Sequence, residues 1–152
     1  IRSSKQANRN ANDGISLVQV AEGGLSEASS ILTRLRELSM QAASDTVTDS
    51  DRSLSEMEYQ SLKNELERIS KTTEFNGKKL LDGSGPQLDF QVGVGDHGTE
   101  DVISYSSKNI NSRLDSLGIS SISVRSKGSA QNSLLTIDRA IDKISAQRSQ
   151  LG

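Results

Sequence analysis

Residues 11–42 contain no proline and place an apolar or small side chain at every third or fourth position. One seam runs through Leu17, Val20, Gly24, Ala28, Ile31, Leu35, Leu38 and Ala42. A second stripe carries Ala11, Ile15, Val18, Leu25 and Leu32. This is the spacing of an α-helix, and two apolar faces on one helix imply neighbours on two sides. A helix over 1–43 is roughly 60 Å long at about 1.5 Å per residue, which favours a rod over a rounded body. Gly23 and Gly24 interrupt the run, and each Gly in a helix interior costs about 1 kcal/mol against Ala. The alternative is a break into two shorter helices. The seam keeps its phase across the pair, which favours a continuous helix with close packing at Gly24.

Composition agrees with a thin structure. Only 3% of the residues are aromatic and 32% hydrophobic, with two Phe, two Tyr and no Trp. So few large rings cannot anchor a thick core, whereas slim bundles closed by Leu, Ile, Val and Ala need none. The polar run Ser44 to Ser50 ends the first helix and offers caps for the next: Thr48-x-x-Asp51, Ser50, or Ser53-x-x-Glu56. A second helix over 50–72 carries Leu54, Met57, Tyr59, Leu62, Leu66 and Ile69 as its apolar set. The short connection predicts an antiparallel helix pair.

Between 73 and 128 the chemistry changes. Asn76-Gly77 predicts a tight turn, and Gly83, Gly85 and Pro86 a loop. Residues 88–94 alternate apolar and polar with the strand period, Gly95-Asp96-His97-Gly98 predicts a turn, and 102–105 a returning strand. The stretch 109–128 is rich in Ser and Gly, with a short strand expected at 122–124. A last helix over 129–152 carries Ala130, Leu134, Ile137, Ile141, Ile144 and Leu151, with Arg148 in a polar slot. The expected fold is mainly α with a small β-hairpin: a single elongated, antiparallel helical rod domain over 1–152. The first and last helices run on to the ends of the chain, as they do in a piece cut from a longer protein.

The function classes narrow by what the residues supply. A net charge of −2, from 18 basic and 20 acidic residues, gives no concentrated basic surface for nucleic acid. No apolar run reaches the roughly 20 residues that span a bilayer. There is no Cys, and the single His97 stands in a Gly-flanked turn without a second His to share a metal or a triad. Asp89 and Asp96 lack the spacing of a calcium loop, and Gly93-Val94-Gly95 with Gly98 precedes a strand rather than the helix a phosphate loop needs. The carboxylates Glu22, Glu27, Glu37, Glu56, Glu58, Glu65 and Glu67 fit a solvated helix face. No enzyme, cofactor or metal is expected.

Four stretches together resemble bacterial flagellin: 6–25 (QANRNANDGISLVQVAEGGL), 32–43 (LTRLRELSMQAA), 75–81 (FNGKKLL) and 137–152 (IDRAIDKISAQRSQLG). The resemblance covers both ends and most of the first half, in order. It implies the family's rod domain of two helices, a hairpin and a C-terminal helix, without its terminal helical segments or variable outer domains. It also implies a secreted subunit of the extracellular flagellum that polymerises with its own copies and is handled by an export chaperone and the secretion apparatus. On that reading the second stripe, Ile15, Val18, Leu25 and Leu32, faces other copies. The resemblance further implies recognition by Toll-like receptor 5 through Arg34, Leu38 and Glu58, with Thr33, Glu37 and Gln41 beside them. Leu38 also fits plain core packing, and Arg34 also fits an ion pair with Glu37 or Glu58. A hook–filament junction protein and a coiled-coil adaptor are the alternatives; the 6–25 and 32–43 motifs favour flagellin over the first, and the second predicts no tip assembly when the terminal segments are restored.

Overall fold

A computed structural model describes residues 2–93 and 102–151. The first helix, α1, runs without interruption over Arg2–Ala42. Its apolar seam explains why it survives two glycines: an added Cβ at Gly24 would lie 2.5 Å from Leu81 Cδ1 and 3.1 Å from Thr73 Oγ1. The bare backbone there admits the chain that follows the second helix. At Gly23 nothing lies within 4 Å of such an atom.

The second helix, α2 (Asp49–Thr72), starts at Thr48, one of the three expected caps. Thr48 Oγ1 accepts from the Asp51 amide at 3.1 Å, and Asp51 Oδ2 accepts from the Thr48 amide at 3.2 Å, a reciprocal capping box. Arg52 closes the preceding turn from inside. It is 6% exposed, and its guanidinium donates to Ala42 O and Ser44 O, each at 2.9 Å. The Ala42 carbonyl is left over at the end of α1, where no helical amide follows to satisfy it, and Ser44 O also accepts from the Val47 amide at 3.3 Å.

Beyond α2, β1 (Glu74–Phe75) pairs antiparallel with β2 (Lys78–Lys79) around Asn76-Gly77. Both turn residues have positive φ, 50° and 78°, as a two-residue type I′ turn demands. The expected hairpin follows: β3 (Gln87–Gln91) pairs with β4 (Val102–Ser106), Leu88 opposite Tyr105 and Phe90 opposite Ile103. The expected turn carrying His97 lies outside the described residues. A 3-10 turn over Ser107–Asn109, a single helical turn α3 (Leu114–Leu117) and an irregular run lead to α4 (Lys127–Leu151). The last helix therefore begins two residues before the expected 129, with the Ser126 hydroxyl accepting from the Ser129 amide at 3.1 Å.

α1 is the spine, with α2 and α4 both packed along it. The ion pairs Arg36–Asp138 and Asp45–Lys127 mark α4 as antiparallel to α1. The Arg34–Glu58 pair and the Arg52 contact to Ala42 do the same for α2. The core is one cluster, with Leu17, Ala21, Leu25, Ala28, Leu32, Leu35 and Leu38 from α1 against Tyr59 and Leu66, and Ile137, Ala140 and Ile144. The hairpin lies on the first turns of α1, where Phe90 and Ile103 come within 3.6 Å of the Cβ position at Gly14.

Three expectations fail here. The strand expected at 122–124 is not formed. Ile119, Ile122 and Val124 instead drop singly into the core. The backbone of this link is held by side chains rather than by a ladder. Lys63 Nζ donates to Ser120 O at 2.8 Å and Ile122 O at 2.9 Å, Glu56 Oε2 accepts from the Val124 amide at 2.7 Å, and Ser133 Oγ donates to Ser123 O at 2.9 Å. The inward face of α2 is accordingly part polar. Glu56 and Lys63 are 7% and 4% exposed, so Glu56 does not belong to a solvated face. Leu54 and Met57, expected in the apolar set of α2, are 68% and 70% exposed.

Candidate functional site

A charged surface cluster straddles α1 and α2. Arg34 projects from α1 and reaches across to Glu58, donating from Nε to Oε2 at 3.0 Å and from Nη2 to Oε1 at 3.2 Å. Its third nitrogen, Nη1, donates to Oε2 of Glu37 one turn along α1, at 3.2 Å. A planar guanidinium matches a carboxylate with two parallel bonds, so the fork fixes direction as well as distance. These bonds raise the Arg34 pKa further above its usual value, the Glu58 hydrogen bonds first and that of Glu37 second. All three side chains remain about half exposed. Of five guanidinium protons, three are committed, which leaves two for an outside acceptor.

The structure thus brings together Arg34, Glu37 and Glu58, both of the ion pairs the sequence allowed for Arg34 being made at once. Thr33 is exposed beside them with its hydroxyl turned back onto Ser29 O at 3.0 Å, and Gln41 is exposed two turns along. Leu38 is different. At 3% exposure its side chain belongs to the core, the packing role that the sequence also allowed it, and little of Leu38 is left on the surface beside Arg34. The outward-facing stripe is corrected. Ile15 is 52% exposed and Val18 half-buried, but Leu25 and Leu32 are fully buried and have no surface left for another copy.

Leu54 and Met57 were missed as surface residues. Leu54 stands four residues before Glu58 and so shares its side of α2. The signal was present in the sequence as Arg52, Glu56 and Lys63, whose 4- and 7-residue spacing matches a single helical face as well as the apolar set does. Among the described residues no group of three His, Asp or Glu side chains is placed to hold a metal ion. No described helix is long and apolar enough to cross a membrane.

A spine helix flanked by two others, with a hairpin at one end and charged surface pairs between helices, defines a helical rod. Comparison with known proteins identifies the rod. Residues 1–85 match the family model for the bacterial flagellin N-terminal helical region. The chain belongs to the flagellin family. A flagellin of Halalkalibacterium halodurans is 36% identical over all 152 residues, which cover 55% of that protein. A flagellin of Escherichia coli O127:H6 is 41% identical over 137 residues, 90% of this chain and 24% of that one. The chain therefore spans about half, or less, of the length of these relatives. The crystal structure of Bacillus cereus flagellin superposes with a TM-score of 0.82 at 29% identity, covering 95% of this chain and 81% of that one.

Proposed function

We propose that this chain is the rod portion of a structural subunit of the flagellar filament, an extracellular part of the bacterium, and that it acts by stacking against copies of itself. Family membership together with the long spine helix supports this reading. On it, the chain is secreted by the flagellar apparatus with the help of an export chaperone. The surface contacts of the filament then include Ile15 and Val18, which remain accessible, and exclude Leu25 and Leu32. Sedimentation of this chain beside a version carrying the flanking lengths of its relatives tests the assembly. Filaments are expected only from the longer version, and their growth from this chain alone would contradict the reading.

The same subunit, as a monomer, is recognised by Toll-like receptor 5 through the Arg34–Glu37–Glu58 cluster, with Thr33 and Gln41 at its edge and Leu38 holding the helix from beneath. The observation that carries this is the half-exposed guanidinium, clamped in one direction by two carboxylates. An Arg with limited freedom loses little entropy on contact and is a favoured interface anchor. Arg34→Ala and Glu58→Ala should each lower reporter-cell potency on the order of tenfold or more, with the circular dichroism spectrum unchanged. Undiminished potency in both variants would remove the site.

A further inference from the structure

We propose that Asn76–Gly77 is a site of spontaneous covalent modification, conversion of the asparagine to aspartate and isoaspartate, and that the β1–β2 turn holds this chemistry in check. Asparagine before glycine is the dipeptide most open to the reaction, because glycine has no side chain to obstruct attack by its own nitrogen. The Gly77 nitrogen attacks Asn76 Cγ, and the new N–C bond closes a five-membered succinimide. The Cγ–Nδ2 bond breaks and ammonia leaves with the proton from Gly77. Water then adds to one of the two ring carbonyls, and the corresponding C–N bond opens. One product is aspartate. The other is isoaspartate, with an extra carbon in the main chain. Water is the sole co-reactant.

Both residues are exposed, and nothing lies within 4 Å of the Cβ position at Gly77, so burial gives no protection. Conformation does. Asn76 has φ 50° and Gly77 φ 78°, on either side of a two-residue loop whose flanking residues Phe75 and Lys78 are paired. In such a type I′ turn the first central residue takes ψ of about +30°. That rotation carries the next nitrogen to the far side of Cα from Cβ, nearly opposite the carboxamide it must attack. Ring closure needs the two on the same side, so the turn must open first.

The surroundings make opening costly. Leu80 and Leu81 follow β2 directly and are fully buried. The Leu80 amide donates to Thr73 O at 3.1 Å, and Tyr105 Oη donates to Leu80 O at 2.6 Å. Chains held unfolded lack this restraint and react freely. Once isoaspartate forms, the lengthened backbone no longer fits a two-residue loop, and Leu80 and Leu81 lose their register.

The test is to hold the intact chain in mildly alkaline buffer with and without urea, following the mass of the peptide containing Asn76 and its isoaspartate content. The native sample is expected to convert roughly tenfold or more slowly, in line with reaction only through local opening. Equal rates in the two samples would overturn the proposal, as would no conversion in urea. Chains aged in urea and then refolded should melt lower when they carry isoaspartate. Coincident melting of aged and fresh chains would overturn the claim that the turn's geometry anchors Leu80 and Leu81.

Discussion

Gly23 and Gly24 are adjacent in one helix, so replacing each by Ala asks the same question of the backbone and different questions of the surroundings. In both variants the helix gains about 1 kcal/mol of propensity. At Gly23 the new methyl enters open space, so the whole gain should appear, raising the melting temperature by about 2–4 °C for a domain of this size. At Gly24 the methyl would meet Leu81 Cδ1 at 2.5 Å, with Thr73 Oγ1 at 3.1 Å and Thr73 Cγ2 at 3.3 Å. Leu81 is fully buried and Thr73 is tied to Ile69 O at 2.7 Å, so neither can step aside freely. Overpacking of this kind costs about 1–3 kcal/mol, enough to cancel or reverse the propensity gain. Because propensity is common to both, the difference between the variants isolates the contact and should be about 1–3 kcal/mol. Urea denaturation followed by helical circular dichroism reads it directly, provided the slopes agree. Equal stabilisation by both substitutions would refute the close approach at Gly24.

Burial lifts the pKa of Tyr59, against the hydrogen bond of Ser39, and burial alone lifts that of Tyr105. Below pH 10, the ordinary tyrosine value, both states hold these protons; above it the unfolded state sheds them first, so stability should fall as pH rises, and tyrosinate absorbance should appear in one cooperative step with unfolding. A gradual titration centred at the ordinary value would contradict the burial. Burial acts on Lys63 in the opposite sense, lowering its pKa against the attraction of Glu56. Between that lowered value and the ordinary 10.5 the unfolded state binds more protons, so its contribution should rise with pH, and Lys63→Met should flatten that rise in a pH series of melts. Arg52→Ala should destabilise by about 1–3 kcal/mol, because it strips the Ala42 carbonyl of its donor and leaves Ser44 O with the Val47 amide alone; a loss below about 1 kcal/mol in urea denaturation would mean that water replaces the guanidinium.

The helices were legible because their period is long and repeated. α1 offers about seven turns of consistent seam between Leu17 and Ala42, and no single residue, not even a Gly pair, outweighs it. Thr48 was one cap among three candidates, and the Asn76-Gly77 turn follows from backbone preference alone. The β1 and β2 strands, two residues each, are too short to show any period. The link from Asn111 to Arg125 was illegible for a different reason. Its apolar residues, Leu117, Ile119, Ile122 and Val124, are all buried in the one core cluster without sharing a regular element, so their spacing follows the elements they pack on. Its backbone partners are Glu56, Lys63, Glu67, Ser133, Lys143 and Gln147, all distant in sequence. Charged residues on α2 looked solvated for the same reason: their partner is backbone, which carries no sequence signature. At the candidate site the ion pairs of Arg34 with Glu37 and Glu58 were among those the sequence allowed, while the burial of Leu38 depended on how far α2 rolls over α1.

That roll is fixed by contacts on the inner side of the same helix pair. The Ser39 and Tyr59 hydroxyls meet at 3.0 Å in the core, one residue along from Leu38 and Glu58 respectively, and Arg52 pins the connecting turn. The outer Arg34–Glu58 fork therefore spans two backbones whose separation is already set. A half-exposed ion pair adds little to folding in water, so its geometry is a consequence of the rod rather than a cause of it. Substitutions at Arg34, Glu37 or Glu58 can then change what the surface presents while the helices stay in place. Substitutions at Leu38, Ser39 or Tyr59 move the helices and with them every surface group at once. Loss of recognition in a Leu38 variant is thus no evidence of direct contact unless the Arg34–Glu58 spacing is shown to be unchanged.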